Sequence, residues 1–513
     1  MIKIKSIALY KASLHLIIIA LYALLALPSM AQDQPFIRGN CLPEGETDVD
    51  ALAASRARRL PTPNTLWNAE RIYPVAVVLM EAIDTTFTIA EPRDFYNRIF
   101  NEPGYNEGKG KGCVADYFRD QSHGMFNLEF HIYGPVKVSQ PMRGAGKKYG
   151  GDSFREAVQI VIDSNPNVEF SQYDWDGNGY VEQVVFIYAG YGGNETNEKA
   201  KGCIWPNTSA FSSVTASGAK ISNYTASAEL WSSSRSCGIG TICHEFCHSL
   251  GLPDIYPTGT TDVHSVVDEW DLMDGGNFIN NGWCPPNFSV HEKMLMGWFA
   301  PEELTEATTI TGLKPVADGG NAYIVYTKEN PDEFFLIENR QWSGWDLRTP
   351  GHGLLISHVD YQKSAWTGNA VNNKKEHHHF DYVHADNLDY EAWKDIIGNN
   401  SPRIDGHNRY LSGTPYPYKT EDFLNNAFTD STIPAAVTFC EPGLLSKPIH
   451  NIVEEEDGTV SFQFMGTPSG ISVLPMSDEE CSRNNVYDLQ GRRIYGKPER
   501  GIVIKGGRKW VVH

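Results

Sequence analysis

One short segment, Thr241–Asp254 (TICHEFCHSLGLPD), restricts the fold of this 513-residue chain more than any other. His244 and His248 are four residues apart, so on an α-helix their side chains lie one turn apart on the same face. Gly251 favours a left-handed helix ending, and Pro253 cannot continue a helix. We therefore predict that the helix ends just after the second histidine and that the chain then turns back toward the imidazoles.

Two imidazoles and a carboxylate, with a fourth position open to water, are the donor set of a catalytic zinc site. The sequence predicts His244, His248 and Asp254 as Zn²⁺ ligands, and Glu245 as the general base that takes a proton from water. Two other roles stay open for Asp254, capping of the turn and Ca²⁺ binding. A surface helix with solvated side chains is the alternative for the whole motif.

A second motif, Glu269–Gly276 (EWDLMDGG), follows the histidine segment. Met273 before Asp-Gly-Gly is typical of a tight turn in which the thioether packs beneath a metal site without binding the ion. A single methionine is more often an ordinary core residue. Its position shortly after the zinc motif favours the Met-turn.

A third motif, Asp174–Glu182 (DWDGNGYVE), alternates oxygen donors with other residues, as the first half of an EF-hand loop does. Val185 occupies the twelfth position, where an EF-hand has glutamate, so the complete motif is not present. We predict a structural Ca²⁺ site, and a turn without metal is the alternative. The predicted ligands are Asp174, Asp176, Asn178, Tyr180 through its carbonyl, and Glu182.

Three consecutive histidines, His377–His379, form a weaker signal. Adjacent residues point in alternate directions and the surrounding sequence is polar. We interpret this segment as a solvated loop, with a metal-binding cluster as the alternative.

The first 31 residues are typical of a signal peptide, because lysines precede the apolar run Leu14–Leu27. That run is shorter than the roughly 20 residues that a membrane-spanning helix needs. We therefore expect a secreted protein, or one attached to the cell surface, with no transmembrane segment after cleavage. The chain has 43 basic and 63 acidic residues, a net charge of −20, which argues against a nucleic-acid partner.

Helix and strand patterns alternate up to about residue 300, and short strand-like runs dominate afterwards. This predicts an α+β (mixed) catalytic domain, metzincin-like by its histidine and Met-turn motifs, followed by a β-sandwich-like domain and a small β C-terminal segment. The predicted parts are a signal peptide (1–31), an N-terminal arm or pro-segment (32–70), the catalytic domain (71–300), the β-rich accessory domain (301–466) and the C-terminal segment (467–513).

Together these motifs resemble the immune inhibitor A family of secreted metallopeptidases, in the metzincin group. The resemblance extends from about Ile72 to Asp386 and includes GCVADYF at 112–118, YAGYG at 188–192 and PGHGLLISHVD at 350–360. It implies zinc endopeptidase activity, with zinc on His244 and His248 and catalysis on Glu245. Cys247 departs from the pattern, where a small residue is expected.

We therefore expect a secreted zinc endopeptidase that acts on extracellular proteins or peptides. A surface-binding or adhesive exoprotein with a vestigial metal site is one alternative, and a metal-dependent hydrolase of non-peptide bonds is another. The intact Glu245 and Met273 argue against a vestigial site. Residues 467–513 resemble the C-terminal sorting segment of proteins exported by the type IX secretion machinery, with a small edge hairpin as the alternative.

Overall fold

The computed structural model describes most of the chain from residue 67 onward. The described residues are 67–107, 110–144, 150–195, 198–231, 235–259, 264–328, 330–390, 392–393, 410–466 and four short strands between 486 and 512. The predicted signal peptide and nearly all of the predicted N-terminal arm lie outside these residues. Within them, no helix combines the length and the apolar character that crossing a membrane requires.

A six-stranded sheet organises the first part of the chain. Its strands are β1 (Ile72–Glu81), β2 (Asn127–Lys137), β3 (Val184–Tyr191), β4 (Asn207–Ala216), β5 (Ala219–Trp231) and β6 (Arg235–Ser236). The order is β2-β1-β3-β5-β4, with β6 beside β5. The first three pairings are parallel, and β4 and β6 run antiparallel to β5. The mixed α/β fold class predicted from the sequence is confirmed.

Helices cover both faces of this sheet. They are α1 (Pro92–Asn101), α2 (Val114–Gln121), α3 (Gly151–Ser164) and α4 (Gly240–Leu250). Two shorter helices, α5 (Val290–Leu295) and α6 (Lys363–Thr367), follow later in the chain. Side chains of β1 alternate between two hydrophobic cores, because successive residues of a strand point to opposite faces. Val75 and Val77 belong to the core that includes residues of α1, α2 and α4, whereas Ala76 and Val78 pack with residues of α3.

Three further sheets lie in the described residues between 302 and 464. Their strands are β7 (Glu302–Glu303), β8 (Thr308–Leu313), β9 (Tyr323–Tyr326), β10 (Glu333–Arg340), β11 (Gly353–Asp360), β12 (Phe380–Tyr382), β13 (Tyr418–Lys419), β14 (Leu424–Asn425), β15 (Ile449–Glu454) and β16 (Val460–Phe464). They form a five-stranded sheet β12-β11-β10-β9-β7, a three-stranded sheet β15-β16-β8 and the pair β13-β14.

The division predicted at residue 300 does not coincide with a boundary between hydrophobic cores. The described residues up to Phe464 form one compact unit. Phe334 and Leu336 of β10 belong to the same core as the α4 helix, while Phe335 and Ile337 on the opposite face pack with β15 and β16. The five-stranded sheet therefore closes the core of the first region, a long-range contact that the sequence pattern does not reveal. As a limit of the catalytic region along the chain, residue 300 stays a prediction.

A second compact unit comprises Met465–His513. Its described strands are β17 (Val486–Tyr487), β18 (Arg493–Ile494), β19 (Gly501–Lys505) and β20 (Arg508–Val512). All pairings in this sheet are antiparallel, in the order β18-β17-β19-β20. The sorting role predicted for this segment stays a prediction.

His291 on α5 is a buried histidine surrounded by aromatic rings. Its ring packs against Phe334, Trp366 and Phe380 at centroid distances of 5.4–6.0 Å, and neither ring nitrogen has a hydrogen-bond partner among the described residues. Burial lowers the pKa of His291 to about 3. The folded protein therefore keeps this imidazole neutral, whereas the unfolded chain protonates it near pH 6.5.

We predict that His291 makes the fold sensitive to acid. A pKa lowered on folding contributes stability that is complete above pH 6.5 and is lost as the pH falls toward 3. Between pH 7 and pH 5, the free energy of unfolding of the wild type should fall by about 2 kcal/mol more than that of the His291→Phe variant. Urea unfolding of both proteins at the two pH values measures this difference. Equal losses in both would show that another group causes the acid sensitivity.

Candidate metal centre

The α4 helix ends in the way the sequence predicts. Gly251 adopts the left-handed conformation with φ 106°. Its N–H donates to the carbonyl of His248 (3.0 Å), and the N–H of Leu252 donates to the carbonyl of Cys247 (3.1 Å). These two hydrogen bonds define a Schellman ending, which reverses the chain. Asp254 can therefore return to the face of the helix that carries the histidines.

Three side-chain atoms converge at this point. His244 Nε2 and His248 Nε2 are 3.1 Å apart, and Asp254 Oδ1 lies 3.1 Å from the first and 3.0 Å from the second. All three side chains are almost completely buried. The structure thus brings together the three predicted zinc ligands.

Main-chain carbonyls fix the orientation of both imidazoles. His244 Nδ1 lies 2.8 Å from the carbonyl oxygen of Leu272, and His248 Nδ1 lies 2.8 Å from that of Leu252. A carbonyl can only accept, so each Nδ1 carries the ring hydrogen. In a neutral imidazole Nε2 then presents its lone pair to the shared centre, which is the usual arrangement of metal-binding histidines.

The donor set fits a divalent metal ion. When both rings are neutral, the two nitrogen lone pairs and the carboxylate oxygen repel one another at 3.0–3.1 Å, and a metal ion between them removes this repulsion. Asp254 Oδ1 accepts no hydrogen bond within the described part of the chain. In a tetrahedral zinc site with bonds of about 2.0–2.1 Å, ligand atoms are about 3.4 Å apart. The three atoms match that spacing to within a few tenths of an ångström.

The electrostatic environment keeps Asp254 ionised. Burial raises the pKa of its carboxyl, but the positive charge of the adjacent His248 and His244 rings when protonated, and the hydrogen bonds that they then donate, outweigh burial and lower the pKa well below its ordinary value. A carboxylate is therefore present at neutral pH to bind a cation.

Asn369 holds Asp254 from a segment that lies 115 residues further along the chain. Its Nδ2 donates to Asp254 Oδ2 (2.6 Å), and its Oδ1 accepts from the Asp254 N–H (2.7 Å). These bonds occupy the second carboxylate oxygen and leave Oδ1 directed at the imidazoles. No local motif marks Asn369, which follows the five-residue helix α6, so sequence reasoning missed it.

Asn372 and Asn373 make further hydrogen bonds with the segment that follows Asp254. Asn372 Nδ2 donates to the carbonyl of Ile255 (3.1 Å), and Asn373 Oδ1 accepts from the N–H of Thr258 (2.7 Å). The segment after Asp254 is thus held by the chain beyond residue 360, and the metal centre depends on both regions of the compact unit.

The predicted Met-turn contacts the two chain segments that carry His244 and Asp254. Met273 is completely buried in the core that includes α4. Its carbonyl accepts from the N–H of Ile255 (2.8 Å), the residue after Asp254, and the carbonyl of the preceding Leu272 orients His244. The turn therefore contacts the site through its main chain.

A buried carboxyl pair stabilises this turn. Asp271 Oδ1 accepts from the N–H of Met273 (2.7 Å). Burial raises the pKa of Asp271 to about 6, and burial together with repulsion from Asp271 raises the pKa of Glu292 well above its ordinary value. Glu292 consequently carries the proton of the pair, and Asp271 keeps its accepting oxygen.

Glu245 follows the first ligand on α4 and is 1% exposed. Thr208 on β4 lies within hydrogen-bonding distance of its carbonyl oxygen and, at 3.2 Å, of its carboxylate Oε2. Thr208 positions the carboxylate, and the sequence carries no signal for this contact.

Cys247 is completely buried beside the second ligand. Burial raises the pKa of its thiol well above the ordinary value, so the thiol stays protonated. It packs as a small apolar residue, as Cys243 and Cys113 do in the same core.

The predicted calcium loop also comes together. One carboxylate oxygen from each of Asp174, Asp176 and Glu182 lies within 4.8 Å of the others. Asp174 Oδ2 accepts from the N–H of Gly179 (2.8 Å), and Asn178 Oδ1 accepts from the N–H of Tyr180 (2.8 Å). These bonds within the loop are also those of a turn without metal, so calcium stays a prediction.

Comparison with known proteins places these features in a family context. Residues 81–297 match the family described as immune inhibitor A peptidase M6, catalytic domain. The matched region contains the histidine helix, Asp254 and the Met-turn.

Curated relatives agree with this match. The chain is 23% identical over 257 residues to immune inhibitor A of Bacillus thuringiensis subsp. alesti, which covers 40% of this chain and 36% of that protein. It is 22% identical over 275 residues to the pre-pro-metalloprotease PrtV of Vibrio cholerae serotype O1, which covers 46% and 28% respectively. The chain thus spans about a third of the length of these relatives.

We predict that Asn369 contributes to metal affinity through Asp254. Replacement by Gly tolerates the left-handed backbone at this position (φ 53°) and removes only the amide. The zinc affinity should fall by about 10- to 100-fold, as is usual when a partner that orients a ligand is lost. Competition with a chromophoric chelator at pH 7 measures the affinity.

Asn373→Gly is the matched control, because Asn373 binds the main chain of Thr258 and does not touch Asp254. Its zinc affinity should stay within about threefold of the wild-type value. Equal losses in the two variants would mean that the loop as a whole, and not the bond to Asp254, determines affinity.

Proposed function

Residues 81–297 belong to the immune inhibitor A peptidase family, and from this premise we propose that the protein is a zinc-dependent endopeptidase. One observation carries the proposal. His244 Nε2, His248 Nε2 and Asp254 Oδ1 converge with their lone pairs directed at one point. Three protein ligands leave a tetrahedral ion one open position, which distinguishes catalytic zinc sites from structural ones.

His244, His248 and Asp254 would hold the zinc ion. When bound, zinc supplies a Lewis acid that polarises the substrate carbonyl and makes water acidic enough to attack at neutral pH. The bonds from the Leu272 and Leu252 carbonyls to the two rings keep the ligand atoms in place throughout. The ligands are therefore preorganised and do not have to reorient during the reaction.

We propose Glu245 as the general base and then the general acid. Its carboxylate accepts a proton from the attacking water as the new carbon–oxygen bond forms. It returns that proton to the amide nitrogen as the carbon–nitrogen bond breaks. Support comes from its position directly after His244, its burial and the hydrogen bond that Thr208 offers.

Extracellular proteins or peptides are the proposed substrates. The leader-like sequence of residues 1–31 supports export, and the resemblance of residues 467–513 to a sorting segment supports the type IX route. The main-chain contacts of Met273 with the ligand segments support the metzincin group within the zinc peptidases.

Replacement of Glu245 by Gln tests the proposed mechanism. The variant keeps the shape of the side chain and all three metal ligands but cannot accept a proton. Peptide and casein hydrolysis should fall by at least about 100-fold, and zinc content should not change. Hydrolysis is measured with a quenched fluorescent peptide, and zinc by elemental analysis.

Chelation provides the control for metal dependence. Wild-type hydrolysis should stop in a zinc chelator and return on addition of Zn²⁺, whereas the Glu245→Gln variant should stay inactive. Normal turnover by this variant would show that Glu245 is not the general base. Turnover by the wild type in the presence of chelator would show that the reaction does not need zinc.

We also propose a structural Ca²⁺ ion in the Asp174–Glu182 loop. The convergence of Asp174, Asp176 and Glu182 supports it, because oxygen-only donors suit a hard cation. In wild-type protein, millimolar Ca²⁺ should raise the melting temperature, and Mg²⁺ at the same concentration should have little effect. Asp176→Asn, which keeps the size of the exposed side chain but removes its charge, should reduce the calcium effect. An equal effect in both proteins would place the ion elsewhere.

A further inference from the structure

A second group of metal-ligand side chains lies outside the site described above. Asp360 is the last residue of β11, and His377 and His379 approach it from the segment that leads into β12. One ring nitrogen from each histidine and a carboxylate oxygen of Asp360 lie within 4.8 Å of one another. His377 Nε2 is 2.6 Å and His379 Nδ1 is 3.3 Å from Asp360 Oδ2.

The first and third of the three consecutive histidines face the same partner. His377 and His379 both approach Asp360 Oδ2. His378 points to the other side, where its Nδ1 lies 3.0 Å from Asp381 Oδ2. The solvated-loop interpretation of the three histidines is thus wrong for His379, which is 8% exposed, and each of the three has an aspartate partner.

Both imidazoles facing Asp360 are held in defined orientations. The His377 ring stacks on Phe439 at a centroid distance of 3.8 Å and an interplanar angle of 8°. His379 Nδ1 donates its hydrogen to the main-chain carbonyl of Asp360 (2.8 Å), so Nε2 is the ring nitrogen that keeps a lone pair for an ion. Side chains that are ordered before binding lose little entropy when they capture an ion.

We infer that Asp360, His377 and His379 form a second binding site for a divalent transition-metal ion such as Zn²⁺. Two imidazoles and one carboxylate are donors that select this class of ion over Ca²⁺ or Mg²⁺. His377 is 35% exposed, so solvent reaches the site and supplies the remaining ligands. Opening the distance of 2.6 Å to the spacing of about 3.4 Å in a tetrahedral site requires less than 1 Å of movement.

The position of this site links it to the catalytic metal centre. Asp360 and His377 close a loop that contains Asn369 and Asn372, the residues that hold Asp254 and Ile255. Asn372 also binds Phe380, next to His379, through both its amide nitrogen and its amide oxygen. An ion bound by Asp360 and His377 would therefore hold together the two ends of the loop that carries Asn369, which orients Asp254.

Zinc stoichiometry of the full-length mature chain tests this inference. The chain is first stripped with chelator, then titrated with Zn²⁺ in excess Ca²⁺, which fills any oxygen-only site. We expect two equivalents in the wild type and one in His377→Ala. His378→Ala is the matched control, since it removes the neighbouring histidine that faces Asp381, and it should bind two equivalents.

Two further variants keep the outcomes distinct. Asp360→Asn keeps the side-chain shape and should weaken the second equivalent by at least about tenfold if His377→Ala does not fold. His244→Ala should also bind one equivalent but lack peptidase activity, which separates the two sites. A single equivalent in the wild type, or two in His377→Ala and Asp360→Asn, would overturn the second site. Loss of an equivalent in His378→Ala would do the same.

Discussion

The whole arrangement depends on three lone pairs that converge in a space from which water is nearly excluded. With both rings neutral, His244 Nε2, His248 Nε2 and Asp254 Oδ1 are all acceptors, and at 3.0–3.1 Å they repel one another unless a metal ion or a proton lies between them. The surrounding chain opposes this repulsion with hydrogen bonds to the far side of each group. Unsatisfied buried acceptors are costly, so metal binding and the stability of this part of the fold are coupled.

The partners that hold these acceptors come from distant parts of the chain. Leu252 belongs to the helix ending, Leu272 to the Met-turn and Asn369 to the segment beyond β11. Trp366 and Val371, which flank Asn369, belong to the same core as the α4 helix, so this packing brings Asn369 to the site. A chain truncated at residue 300 would retain all three ligands and the base but would lose the amide that orients Asp254.

Local features of this protein could be predicted from sequence, whereas long-range ones could not. The Schellman ending follows from Gly251, and the placement of His244 and His248 follows from helical periodicity. Asn369 and Thr208 carry no local pattern, because an amide or hydroxyl contributes only once the fold brings it to its partner. The three histidines are visible in the sequence, but Asp360, the common partner of His377 and His379, lies 17 residues or more away. One face of β10 packs in the core of α4 and the other packs with β15 and β16, and because both faces are buried the strand pattern does not show which partner each face meets.

The most direct test of the central claim is anomalous diffraction at the zinc edge from crystals of the mature chain. The account predicts a strong anomalous peak within about 2.0–2.2 Å of His244 Nε2, His248 Nε2 and an oxygen of Asp254, with a fourth position filled by solvent. A zinc-loaded crystal without a peak there, or with the two rings turned away from each other, would contradict it.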